Sequence, residues 1–165
     1  KLALELKKSP EDQNFPLYVA EIEEDKFYIV PIRGNGLWNA IFGYISIKED
    51  LNTIKGVVFD HVGETAGLGA EITQDWFKER FVDEKLFDSD YKLMGIKVSK
   101  TNNDPSNLDK SDHEVDFISG ATITCDGVTD MISERMNHYI PYFKSIKESE
   151  TAIAFSMSNI DSNIN

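Results

Sequence analysis

The succession of strand-like runs in the first half of the chain constrains the fold more than any other feature. Residues 17–34 contain two runs rich in β-branched and aromatic residues, separated by the turn-like sequence EEDK. Two further runs of this kind, residues 36–49 and 53–63, follow before the first helical pattern. Residues 92–100 form a later strand candidate. Strands that dominate one half of a chain, with helices placed between and after them, predict a single α+β domain with a mainly antiparallel sheet and flanking helices.

Two segments have the period of 3.6 residues that indicates an amphipathic helix. In residues 72–86 the pattern places four apolar side chains on one face: Trp76, Phe77, Phe81 and Leu86. In residues 127–146 the apolar stripe consists of Met131, Ile132, Met136 and Ile140. Pro141 lies within this second segment, so we expect it to kink or end the helix. The polar stretch of residues 101–114 has the composition of a loop.

Composition excludes several classes of function. The formal net charge of −12 leaves no basic stripe with which to neutralise nucleic-acid phosphates, so no nucleic-acid partner is expected. The three histidines lack the spacing of a metal site, and no metal is predicted. The lone cysteine, Cys125, has no basic activator nearby in the sequence and is expected to be a small buried residue.

Two glycine-containing segments could approach a ligand closely. In GETAGLGAEI, residues 63–72, closely spaced glycines would let backbone N–H groups turn towards an anion or a flat ring. The spacing matches neither the dinucleotide fingerprint nor the P-loop, and a flexible turn between strand and helix also explains it. In RGNGLW, residues 33–38, Trp38 is either a core residue after a hairpin turn or one wall of a pocket for a planar ligand.

Three hydroxyl side chains cluster in SGATIT, residues 119–124, where a helix is predicted to begin. Thr124 and Asp126 are good candidates for the helix N-cap, because their side-chain oxygens can accept from unpaired N–H groups. Capping accounts for one or two of the hydroxyls, but not for all three. The N-terminus of a helix is also a natural phosphate site, so both interpretations stay open on the residues alone.

Taken together, GNGLWNAIFGY, HVGETAGLGAEI and DFISGATIT resemble, in order and spacing, the FMN-binding domain of the C subunit of the bacterial Na⁺-translocating NADH:quinone oxidoreductase. The match covers roughly residues 17–143, and SGATxT is its most specific part. Members of this family carry FMN joined through its phosphate to a threonine hydroxyl. A separate flavin transferase makes the bond with FAD as donor, and it reads a pattern of Asp, two residues, Ser/Thr-Gly-Ala-Thr/Ser.

The resemblance assigns roles to individual residues. Asp116 takes the place of the leading acid, and Phe117 stands where glycine is common. The acceptor falls on Thr122, and Thr124 is expected to contact the phosphate or cap the helix. The motif residues between the acid and the acceptor are Ser119, Gly120 and Ala121. Ala66 replaces a proline that the family usually has, which removes a restraint on φ but no hydrogen-bond donor.

The resemblance also implies that the isoalloxazine ring lies between the other two segments. The residues expected there are Leu37, Trp38, Glu64, Thr65, Gly67, Leu68 and Gly69. The protein would be an electron-transfer subunit, part of a Na⁺-pumping enzyme but not catalytic as an isolated domain, because the chemistry is that of the flavin.

The remaining expectations concern the rest of the assembly. The resemblance implies a periplasmic-facing domain at the inner membrane, with other redox subunits as partners. Residues 1–16 would be a lead-in after a removed membrane anchor, residues 17–147 the FMN-binding domain, and residues 148–165 a flexible tail. Three alternatives stay open. The first is the related G subunit of the Rnf complex, and the second is a module that binds flavin or another phosphorylated ligand without a covalent bond. The third is a non-redox extracytoplasmic interaction domain in which SGAT is only the start of a helix.

Overall fold

Four antiparallel strands form the main sheet of the computed structural model, which describes residues 2–9, 12–101, 104 and 106–161. After a short helix, Leu2–Glu5 (α1), the strands follow in chain order and are neighbours in that order. Their bounds are Tyr18–Ile22 (β1), Asp25–Asn35 (β2), Ala40–Lys48 (β3) and Ile54–His61 (β4). Residues 23–24, the first half of the predicted EEDK turn, lie between β1 and β2, and its second half begins β2. The predicted α+β class with an antiparallel sheet is confirmed.

One face of this sheet forms the core. Val30 pairs with Ile45, and Ile45 pairs with Val57, so side chains that alternate along each strand meet in rows on the same face. Ile45 is completely buried. Because most residues at alternate positions of these strands are β-branched or aromatic hydrophobes, the strand pairing that buries one of them buries its neighbours in the row.

A long helix, Thr122–Asn137 (α3), packs across this face. The predicted stripe is confirmed at Met131, Ile132 and Met136, which are fully buried. Two glycines let the helix approach β2 closely. A Cβ at Gly34 would lie 2.8 Å from the Cβ of Met131, and a Cβ at Gly127 would collide with the carbonyl oxygen of Asn35. The N-terminus of α3 is therefore held close to the end of β2 and the turn that follows it.

A second, two-stranded sheet leads into α3. Lys97–Ser99 (β5) pairs in parallel with Glu114–Asp116 (β6), and the polar excursion between them contains the predicted loop. The strand predicted over residues 92–100 is thus shorter than expected. From β6 the chain passes through the Ser119–Gly120 turn directly into α3, so the motif SGATIT comprises this turn and the first residues of the helix.

The helix predicted over residues 72–86 is wrong as one continuous element. The segment contains a 3₁₀ turn, Gly69–Thr73, then a short α-helix, Asp75–Lys78 (α2), then a second 3₁₀ turn, Glu79–Phe81. The chain bends between these pieces so that the apolar side chains Phe77, Phe81 and Leu86 are all buried. Trp76 instead lies at the surface, with the Arg80 guanidinium 4.9 Å from its ring centroid.

The segment predicted as one helix over residues 127–146 consists of two. Helix α3 ends at Asn137, and a second helix, Ile140–Asp161 (α4), begins three residues later. Pro141 lies in the first turn of α4, where the missing N–H costs no hydrogen bond. Helix α4 continues through most of the predicted tail, and residues 162–165 lie outside the described residues.

Candidate functional site

The three glycine-containing segments meet at the N-terminus of α3. They line an open cavity of about 180 Å³ between the turn after β2, the loop after β4 and the first turn of the helix. Its lining residues are Leu37, Glu64, Thr65, Leu68, Gly69, Gly120, Ala121, Thr122, Ile123 and Thr124. All of these except Ile123 are predicted site residues, although they come from segments up to 87 positions apart in the sequence (124 − 37).

Glu64 lies at the centre of this arrangement and is only 8% exposed. Its Oε1 accepts from the backbone N–H of Trp38 at 2.9 Å and of Asn39 at 3.4 Å. Its Oε2 accepts from the N–H of Leu37 at 3.3 Å and from the Thr124 hydroxyl at 2.6 Å. One carboxylate thereby connects the turn after β2 to the first turn of α3.

The protonation state of Glu64 follows from these contacts. Burial by itself would raise the pKa of the Glu64 carboxyl, since the charged form loses hydration. The Thr124 hydroxyl and the backbone N–H groups of Trp38, Asn39 and Leu37 outweigh that effect and lower the pKa below the usual value of 4.5. The cavity therefore has an ionised carboxylate in its wall at neutral pH.

Glycine is required at two positions beside Glu64. A Cβ at Gly36 would lie 2.6 Å from the Glu64 Oε1, and a Cβ at Gly69 would collide with Oε2. Gly120 meets a different requirement: its φ is +78°, and a Cβ there would lie 2.7 Å from the Leu68 Cδ2. The glycines of all three segments thus keep the cavity and its carboxylate clear of side chains.

Helix α3 begins at Thr122, with Ala121 as the N-cap residue and no side-chain hydrogen bond at the cap. The prediction that Thr124 or Asp126 caps this helix is therefore wrong, because both lie inside it. Thr124 is 1% exposed and its hydroxyl is bound to Glu64. The half-buried Thr122 faces the cavity, and its hydroxyl makes no hydrogen bond within the described residues.

Thr122 also lines a second open cavity, of about 210 Å³, on its other side. Lys97 and Lys100 contribute to its walls, together with the buried Ser99 and with Cys125. Lys97 forms an exposed ion pair with Glu114 at 2.9 Å. No local sequence pattern indicates a role for these lysines, because only the pairing of β5 with β6 brings them beside SGATIT.

The remaining predicted site residues surround the first cavity without lining it. Trp38 is 67% exposed, and its indole N–H donates to the Thr65 hydroxyl at 3.2 Å. The Gly67 N–H donates to the Glu71 carboxylate at 3.0 Å. Ser119 lies exposed in the turn before α3.

Asp116 ends β6, and its carbonyl oxygen accepts from the Arg80 guanidinium at 2.8 Å. The prediction for Cys125 is confirmed as far as burial is concerned, since the residue is 2% exposed. Burial also raises the pKa of its thiol.

Comparison with known proteins identifies the family. The FMN-binding domain family matches residues 36–137, more than half of the chain. The chain belongs to the FMN-binding domain family. The matched range begins at the turn that carries Leu37 and Trp38 and ends with α3, so it contains every residue that lines the first cavity.

Individual relatives are named as C subunits of a Na(+)-translocating NADH-quinone reductase. The C subunit of the Na(+)-translocating NADH-quinone reductase of Neisseria meningitidis serogroup A is 38% identical over 135 residues, which cover 79% of this chain and 50% of the relative. The crystal structure of the C subunit from Parabacteroides distasonis superposes with a TM-score of 0.73 at 34% identity, covering 87% of this chain and 67% of that one. Shewanella oneidensis NqrC gives a TM-score of 0.59 at 26% identity, covering 83% and 71%.

These likenesses confirm the predicted resemblance to the C subunit and the FMN-binding domain type of fold. The chain spans about half the length of the curated relatives it matches. Among the described residues, no helix is both long and apolar enough to cross a membrane. The same residues contain no group of three or more His, Cys, Asp or Glu side chains that could hold a metal ion.

Proposed function

We propose that this domain carries FMN attached through its phosphate to the hydroxyl of Thr122, and that it relays electrons within a Na⁺-translocating NADH:quinone reductase. Membership of the FMN-binding domain family supports the cofactor. The observation that carries the attachment site is the contrast between two threonines of one helical turn. Thr122 offers a hydroxyl without a partner among the described residues at the junction of two cavities, whereas the Thr124 hydroxyl is buried and bound to Glu64.

The surroundings of Thr122 suit a phosphodiester. The first N–H groups of α3 have no side-chain acceptor at the cap, and a helix N-terminus favours an anion. Lys100 adds a positive charge at the second cavity. Leu37 and Leu68 provide apolar surface in the first cavity for the flavin ring system, and Gly120 leaves the acceptor open to the enzyme that modifies it.

Attachment is a transfer reaction in which a flavin transferase is the partner. The oxygen of the Thr122 hydroxyl bonds to the phosphorus on the FMN side of FAD while the pyrophosphate bond breaks. AMP leaves, and the hydroxyl proton is released. The product differs from the unmodified chain by FMN less one water. The half-buried Asp116 and the exposed Ser119 lie close to the acceptor in the sequence and would be read by the transferase.

The remaining parts of the proposal follow the likeness to the C subunit. The domain would face the periplasm beside other subunits of a membrane complex, held by an N-terminal helix outside this chain. Residues 17–147 would form the FMN-binding unit, with residues 1–16 as a lead-in and residues 148–165 as a tail. Electron transfer would use the redox chemistry of the flavin, while the protein fixes its position and its exposure to partners.

Intact mass spectrometry tests the attachment. The chain is co-expressed with a flavin transferase, exported, and compared with Thr122→Ala and Thr124→Val variants. We expect the unchanged chain and Thr124→Val to gain one FMN less one water, and Thr122→Ala to gain nothing. The same gain in Thr122→Ala would move the acceptor to another residue. Flavin that co-purifies but separates on denaturation would instead indicate a non-covalent binding module.

A further inference from the structure

We propose that Glu64 is a positioning residue that fastens the Leu37–Asn39 turn to the first turn of α3 and thereby fixes the shape of the cavity around Thr122. The inference rests on the proposed function for its consequence at the flavin. The hydrogen bonds of Glu64 to the turn and to α3 are present without any cofactor. It concerns a side chain that faces Thr122 across the cavity without being an acceptor for the cofactor.

The geometry distinguishes Glu64 from a side chain that merely fills space. Both of its oxygens are used: one accepts two backbone N–H groups of the turn, and the other accepts the third N–H and the Thr124 hydroxyl. The three consecutive N–H groups belong to a turn that also has a backbone bond from the Gly36 N–H to the Asn39 carbonyl at 2.8 Å and a bond from the Trp38 indole to Thr65 at 3.2 Å.

Glu64 is itself held firmly. Its own N–H donates to the Nδ1 of His61 at 3.2 Å, which fixes the backbone at the end of β4. Glycines at positions 36 and 69 let the backbone lie close to the carboxylate, where a Cβ would collide with its oxygens. The carboxylate is therefore a rigid connector between β4, the turn after β2 and α3, and no other side chain in the described part of the molecule bonds to both the turn and the helix.

Two consequences follow for the proposed cofactor site. Leu37 lines the cavity, and so does Thr65, whose hydroxyl accepts from the Trp38 indole N–H. The turn therefore forms one wall of the cavity and α3 the other. Loss of the connector would let that wall move relative to Thr122. The flavin would still be attached, but its ring would be less shielded from solvent.

Hydrogen exchange of the unmodified protein tests the connector without any flavin. Peptides covering residues 36–39 are followed by mass spectrometry in the unchanged chain and in Glu64→Gln. An amide can accept only through its oxygen, so at least one of the three N–H groups loses its acceptor. We expect exchange of this peptide to accelerate about tenfold or more, whereas peptides from the middle of α3 keep their protection.

Glu71→Gln is the matched control, because Glu71 is on the same loop and accepts a single N–H, that of Gly67. Its amide oxygen can keep that one hydrogen bond, so exchange should stay unchanged both at Gly67 and at residues 36–39. Equal acceleration throughout the chain in Glu64→Gln would mean a general loss of stability and would overturn the inference. Unchanged exchange at residues 36–39 would overturn it as well.

The flavin-loaded protein provides the second measurement. We expect Glu64→Gln to carry one FMN but to show at least a twofold increase in quenching of flavin fluorescence by iodide. Thr124→Val should show a smaller increase, and Thr124→Ser, which keeps the hydroxyl, should restore the original value. A loaded Glu64→Gln protein with unchanged quenching would overturn the positioning role. If the unchanged chain acquires no flavin, the proposed function fails, while the exchange experiment still decides the connector.

Discussion

Two glutamates of this domain are removed from solvent, but their pKa values shift in opposite directions. Glu64 is 8% exposed and its pKa is lowered, whereas Glu84 is fully buried and its pKa is raised to about 7. The first lies in the wall of the candidate FMN site, and the second lies against Lys110 of the loop that connects β5 and β6. Burial raises the pKa of both and acts more strongly on Glu84, so the opposite direction at Glu64 requires groups that stabilise its charged form.

The hydrogen-bond donors explain the difference. Glu64 receives four donors, distributed over both oxygens. Glu84 receives the Lys110 ammonium on Oε1 at 3.2 Å, while its Oε2 has no hydrogen-bond partner among the described residues. Loss of hydration therefore dominates at Glu84, and nearby Asp112 adds to it, against the opposing effect of Lys110. A buried carboxylate stays ionised at neutral pH when donors replace the water that it loses.

Removal of the Glu64 carboxylate should have the largest effect on stability. Glu64→Ala leaves three backbone N–H groups and a buried hydroxyl without their acceptor. We expect the free energy of unfolding to fall by about 4 kcal/mol at pH 7. Urea denaturation measures this directly, with Glu71→Ala as the control that should cost less than about 1 kcal/mol. A loss in Glu64→Ala as small as in the control would contradict the role of the donors.

The raised pKa of Glu84 predicts that stability depends on pH. A folded-state pKa near 7, above the usual 4.5, means that the folded protein holds this proton more tightly than the unfolded chain. The contribution of Glu84 is thus fully present below about pH 4.5 and is lost as the pH rises towards about 7.

Glu84→Gln removes this dependence. We expect the variant to be more stable than the unchanged protein by about 2 to 3 kcal/mol at pH 8 and nearly equal to it at about pH 4.5. Thermal or urea unfolding at the two pH values gives the answer. Glu114→Gln is a suitable control, because Glu114 also pairs with a lysine but at the surface, and its pH profile should follow that of the unchanged chain. Equal profiles for Glu84→Gln and Glu114→Gln would show that Glu84 does not hold a proton.

Substitutions of the two threonines at the start of α3 should have the smallest effects on stability. Thr124→Val removes a buried hydrogen bond to an ionised carboxylate and should cost about 2 kcal/mol of stability. Thr122→Val removes a hydroxyl without a partner in the described part of the chain and should change the stability of the flavin-free protein by less than about 0.5 kcal/mol. Denaturation midpoints of the two variants, compared at pH 7, separate a structural threonine from one that is free for modification. Equal losses would remove that distinction.

Local patterns predicted much of the fold. The runs of Val, Ile and aromatic residues predicted β1 to β4, because alternation on a strand directly reflects which face is buried. The stripe containing Met131 and Met136 predicted the buried face of α3 for the same reason. For residues 72–86 the local pattern predicted the wrong structure. Their apolar residues have helical spacing, but packing on the sheet bends the chain into short turns that bury Phe77 and Phe81 and leave Trp76 outside.

The sequence by itself determined which segments could build a site and which family they resemble, because glycines at close intervals and hydroxyls before a helix are local signals. Only the tertiary structure decided how the segments act together. The donors to Glu64 come from residues 25 to 60 positions away, and no local pattern contains that pairing. It also decided that the Thr124 hydroxyl is occupied while that of Thr122 has no partner among the described residues, because a hydroxyl's partner depends on what packs against it.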